Sequence, residues 1–76
     1  MEVYFVSMKS VESKDKQRQY YFADFTDGEN TFSQFLTSEQ FNQLLKRSLT
    51  IGSVVRLEFE PNVYNGKLQF RLKSVS

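Results

Sequence analysis

The stretch Leu36-Thr37-Ser38-Glu39-Gln40-Phe41-Asn42-Gln43-Leu44-Leu45-Lys46-Arg47 organises the whole chain. Thr37 and Gln40 have the spacing of a capping box, in which each side chain satisfies the other residue's backbone N–H. Leu36 before the cap and Phe41 at the fourth helical position have the spacing of a hydrophobic staple. Phe41, Leu44 and Leu45 recur at i, i+3 and i+4, and Lys46 and Arg47 complement the C-terminal end of the helix dipole. The spacing predicts a helix over 38–48, with Gly52 marking the exit into the next segment.

Outward from that helix, both flanks read as β structure. Residues 29–36, with Phe32, Phe35 and Leu36, follow the turn signal Asp27-Gly28, and the aromatic-rich 18–26 precede it. Residues 12–17 contain no apolar side chain and are predicted to be the first loop; residues 1–11 form a long first strand. On the other flank, Val55, Leu57 and Phe59 alternate with Arg56, Glu58 and Glu60 over 53–60, and Pro61 is expected to stop that strand. Asn65-Gly66 is a second hairpin turn. Leu68, Phe70 and Leu72 then alternate with Lys67, Gln69, Arg71 and Lys73, so both final strands are expected to be apolar inside and wet outside.

Composition narrows the chemistry. The 76 residues include eight Phe and four Tyr but no Trp, Cys or His. Without imidazole or thiol, the usual general base, thiolate nucleophile and zinc ligands are missing, and no glycine-rich phosphate loop is present. No enzyme activity, catalytic residue, cofactor or metal is expected. Asp24, Asp27 and Glu29 cluster around a tight turn and are read as solvated acids rather than a magnesium site. No apolar run is long enough for a membrane span, and the acidic, strand-like start is unlike a signal peptide, so a soluble cytoplasmic protein is expected. Net charge is only +1, yet residues 61–76 carry Lys67, Arg71 and Lys73 with no acid.

The order β-β-β-α-β-β, with its helix between strands three and four, resembles the OB-fold. That resemblance covers essentially the whole chain and rests on element order and turn placement rather than a diagnostic string. It implies a mainly β fold, a five-stranded Greek-key barrel forming one domain over 1–76. Closure would also remove the exposed edges of an open sheet. An SH3-like barrel is the rival, but it usually lacks a helix of this length at this place.

The second strand carries the functional signal, because its aromatics occupy both faces. A two-residue turn at Asp27-Gly28 would set Ala23 beside Phe32, Tyr21 beside Gln34, Tyr20 beside Phe35 and Phe22 beside Ser33. Leu36 shares parity with Phe32, and the staple ties Leu36 to the helix, so Tyr21, Ala23, Phe25 and Phe32 face inward. Arg18, Tyr20, Phe22 and Phe35 are left on the outer face; a turn of odd length would reverse the two sets. In OB-folds this face and its flanking loops usually hold nucleic acid, with bases stacking on aromatic rings. Tyr64 at the tip of the final hairpin is another candidate ring. Lys14, Lys16 and Arg18 of the first loop, with Lys67, Arg71 and Lys73 of the last strand, are candidate phosphate partners.

Size, element order and aromatic-basic interleaving are similar to the minimal OB-fold single-stranded DNA-binding proteins of phages and mobile elements, including the gene V-type group that works as dimers. The implied function is sequence-tolerant single-stranded DNA binding in replication or recombination, with a homodimer as a further expectation. The glycine-rich linker and acidic tail of the cellular bacterial type are not found, so recruitment of repair partners through such a tail is not expected. Two alternatives stand beside this reading. One is a protein–protein or dimerisation module using the same aromatic face. The other is an RNA-binding OB domain of the cold-shock type, although that family's glycine-phenylalanine signatures are missing.

Overall fold

The computed structural model describes residues 1–15 and 17–76; the candidate Lys16 lies outside the described residues. Helix α1 (Ser38–Lys46) begins where the capping box places it. Thr37 Oγ1 accepts the Gln40 N–H at 3.2 Å, and Gln40 Oε1 accepts the Thr37 N–H at 3.0 Å. The helix ends earlier than the expected 48, with Arg47 as C-cap and Ser48 at φ 50°. Its buried face is also rotated. Leu44 is fully buried and Phe41 partly so, but Leu45 is 51% exposed and Gln40 is buried in its place. A polar residue fits there because the other end of Gln40 is satisfied: Nε2 donates to the Leu72 carbonyl at 3.3 Å.

Among the described residues five strands accompany this helix: β1 (Glu2–Glu12), β2 (Gln19–Thr26), β3 (Thr31–Leu36), β4 (Val54–Tyr64) and β5 (Lys67–Val75). They form a mainly β, antiparallel sheet in the order β3-β2-β1-β4-β5. Val3 and Phe5 of β1, Ala23 and Phe25 of β2, Leu36, Leu44, Val55, Leu57 and Val75 make the core. Phe25 is its centre, with Phe5 edge-on at 6.4 Å and Phe32 at 5.9 Å between ring centroids. Tyr21 packs its ring on Phe41 at 4.8 Å and so joins β2 to the helix.

Three expectations need correction. The closed barrel is not formed: among the described residues no ladder joins β3 to β5, and the sheet is open along that line. Helix α1 stands beside the gap, and the Gln40–Leu72 hydrogen bond reaches across to β5. Nor does Pro61 stop β4, which runs through it to Tyr64 with Pro61 opposite Phe70. Among the described residues β1 pairs with β4 at Val54–Arg56 and Met1 exchanges hydrogen bonds with Leu57, so the far edge of β4 is free beyond Leu57 and a missing N–H is tolerated there.

The last hairpin is likewise not half-buried along its length. A bulge lies between Glu58 and Phe59, and none of residues 58–74 is fully buried, although Leu72 still packs partly against the core. Phe59–Leu72, Pro61–Phe70 and Val63–Leu68 lie opposite one another in an apolar stripe along one side of this arm. Phe70 is 68% exposed. The arm ends in the anticipated Asn65-Gly66 turn, both residues having positive φ (51° and 75°) as a type I′ turn requires.

No helix among the described residues is long and apolar enough to cross a membrane.

Candidate nucleic-acid interface

The face of β2 and β3 opposite the core is set by the register of their hairpin. The connection is four residues long, Asp27 to Asn30, rather than the expected two. Asp27 causes this, because its carboxylate accepts the N–H groups of Glu29 at 2.9 Å and Asn30 at 2.8 Å. Thr26 Oγ1 adds a hydrogen bond from the Gly28 N–H and another to the Asn30 carbonyl. Asp27 is thereby engaged in holding the turn, and these bonds keep its carboxyl below the usual carboxylate range.

A four-residue connection shifts the pairing by an even number, so the faces keep their identity while the partners change. Phe25 pairs with Phe32, Ala23 with Gln34 and Tyr21 with Leu36 on the core side. On the outer side Phe22 opposes Phe35, replacing the expected pairs Phe22–Ser33 and Tyr20–Phe35. The outer aromatics are drawn together as a result. Phe22 and Phe35 meet edge-to-face at 5.5 Å and 80°, and Tyr20 lies 6.1 Å from Phe35. Phe35 is 51% exposed, while Tyr20 and Phe22 are partly buried.

From Phe35 the surface opens into a cleft of about 630 Å³ between β3 with α1 and the arm. Phe70, Arg71, Leu72 and Lys73 form its other wall, with Gln40 at the divide. Of the basic candidates, Arg71 and Lys73 reach this cleft. Arg71 is engaged there, since its Nε lies 2.6 Å from Glu60 Oε1. Tyr64 and Lys67 pair with each other at the arm's tip and are not among the cleft's lining residues. Arg18 is exposed at the end of the first loop, which its backbone closes through hydrogen bonds in both directions with Ser13. Lys14 is exposed on the same loop.

Sequence reasoning missed several residues of this face. Lys9 of β1 pairs with Phe22 and extends the row Phe35–Phe22–Lys9 across three strands. Val11 pairs with Tyr20 and is also exposed. Asp24 lies in the next row, between Ser33 and Ser7. Lys9 and Val11 could have been found from the alternation of the first strand, but only once its bulge at Val6 was known. Phe70 was assigned to the interior by alternation and instead faces the cleft. Among the described residues no group of three acidic side chains is placed to hold a metal ion.

No protein-family model matches this chain, and neither a curated protein nor a solved structure is significantly similar to it.

Proposed function

We propose that the chain is an OB-type, non-catalytic binder of single-stranded DNA. The strand order β3-β2-β1-β4-β5 supports an OB-type reading in which the last contact of the barrel, between β3 and β5, is left open. The observation that carries the reading is the joined set Tyr20, Phe22 and half-exposed Phe35 on the outer face, opening into a cleft whose lining includes Lys73 and Arg71 beside Glu39 and Glu60. An exposed aromatic patch has a solubility cost unless it serves a contact, and unpaired bases are flat apolar surfaces that match it. Bases would stack on Phe35 and Phe22, with Lys9, Arg18 and Lys73 neutralising the phosphates on either side. Duplex DNA, whose bases are already stacked, offers these rings nothing. The resemblance to small phage and mobile-element binders gives the setting, DNA replication and recombination.

Titration of intrinsic tyrosine emission with oligo-dT, oligo-U and duplex at two salt concentrations tests the proposal. Binding of oligo-dT that weakens steeply with salt is expected, with duplex clearly inferior. Absence of single-strand binding at low salt would overturn it.

One observation favours a second reading, association with another protein chain. The arm's stripe of Phe59, Pro61, Val63, Leu68 and Phe70 is exposed, and a two-stranded ribbon with so little burial is marginal by itself. A second copy laid against the stripe would supply the missing burial. Light scattering across a concentration series measures this directly; a monomer at every concentration removes the reading.

A further inference from the structure

The polar row beside the aromatic rings has a consistent hydrogen-bonding character. Ser33 Oγ donates to Asp24 Oδ1 from one side, and Ser7 Oγ donates to Oδ2 at 3.1 Å from the other. Both hydroxyl hydrogens point at the carboxylate, so the row Ser33–Asp24–Ser7 offers lone pairs outward and no hydrogen. The hydrogen bond from Ser33, then that from Ser7 and the charge of Lys9, hold the Asp24 carboxyl below its usual range. At neutral pH it is an acceptor only.

This row lies two residues along each strand from Phe35–Phe22–Lys9, a separation of about 6–7 Å. A base lying flat on Phe22 or Phe35 is wide enough to bring its hydrogen-bonding edge over the acceptors. A carboxylate in this position repels phosphates, so a role in reading base edges accounts for it better than a role in backbone binding.

We propose that the Ser33–Asp24–Ser7 row selects bases by their edges, favouring those with an exocyclic amino group over thymine and uracil. The inference rests on the reading of this face as a single-strand site. Cytosine presents N4–H₂, adenine N6–H₂, and guanine the adjacent N1–H and N2–H₂, all of which can donate to the carboxylate. Thymine and uracil present one N3–H flanked by two carbonyl oxygens, whose lone pairs oppose those of the row. The aromatic rings accept any base, and the acceptor row adds a bias at one position.

The test compares oligo-dC, oligo-dT and an equal-length oligomer of N4,N4-dimethyldeoxycytidine, titrated against the unmodified protein by tyrosine emission. Oligo-dC should bind at least about fivefold tighter than oligo-dT, and dimethylation should abolish that advantage. Asp24→Asn, which places an amide donor in the row, should bring the two unmodified oligomers within about twofold or reverse their order. Equal binding of oligo-dC and oligo-dT, or an advantage that survives dimethylation, overturns the proposal while leaving the single-strand reading intact. Failure of every oligomer to bind removes both. The dimethylated oligomer needs no variant, so the result does not depend on how Asp24→Asn folds.

Discussion

Phe22 and Phe35 face one another across the β2–β3 ladder, edge to face at 5.5 Å, on the side away from the core. One residue along β3 from Phe35, Leu36 is fully buried. The same short strand therefore serves the interior and the exposed face by alternation alone, and substitutions on the two sides should separate cleanly.

Phe25→Ala removes the central core ring and is expected to cost about 3–5 kcal/mol, a large share of the stability of a domain this small. Phe35→Ala should cost less than about 1 kcal/mol in stability. It should nevertheless weaken oligo-dT binding by about 1–3 kcal/mol through lost stacking. Thermal melts and titrations of the two variants check both halves; a Phe35→Ala protein that melts early but binds normally would place this ring in the core.

Glu60 holds Arg71 in an exposed ion pair beside the cleft. Glu60→Gln should release the guanidinium for a phosphate, tighten oligo-dT binding, and steepen the dependence of log affinity on log salt by up to about 0.7. Titrations at four salt concentrations give that slope. An unchanged slope would mean that Arg71 does not meet the backbone of the bound strand.

The helix start offers a stability test that leaves the aromatic face untouched. Thr37→Ala deletes one half of the capping box and should cost about 1 kcal/mol. Gln40→Leu should cost about 1–3 kcal/mol, because the Thr37 N–H and Leu72 carbonyl both lose a partner. Denaturant melts followed by circular dichroism measure both.

Acid should act partly through Asp27. Its carboxyl is lowered by hydrogen bonds from the N–H groups of Asn30 and then Glu29. A folded-state value below the unfolded one gives stability that is complete above the ordinary carboxylate range and lost as pH falls through the lowered value. Asp27→Asn keeps an acceptor oxygen but neither the charge nor the titration, so its Tm should start somewhat lower near neutrality and decline less below pH about 4. Superimposable acid limbs for the two proteins would show that Asp27 contributes nothing to acid unfolding.

Features whose causes lie within a few residues were legible in the chain. Thr37 and Gln40 find each other across a single helical turn, and Asn65-Gly66 carries its own backbone preference. The division of β2 into Tyr21, Ala23 and Phe25 against Tyr20 and Phe22 followed from pleating and from Leu36 beside the helix. The β2–β3 register did not, because Asp27-Gly28 reads as a two-residue turn until the Asp27 side chain is seen to cap Glu29 and Asn30. Alternation in 59–72 was read correctly as to side and wrongly as to burial. It states which way Phe70 and Leu68 point, but not whether anything lies above them. The Ser7–Asp24–Ser33 row left no signal, since three small polar residues on three strands meet only through the fold.

Beyond the bulge between Glu58 and Phe59 the arm runs out to a tip that is exposed throughout residues 61–70. Residue pairs inserted symmetrically at Asn65-Gly66 would lengthen the arm by about 3.4 Å each without moving a single core side chain. Reach beyond the cleft is therefore adjustable by sequence length alone, and the arm's tip is where a reporter dye or a grafted loop can be added with the interior undisturbed.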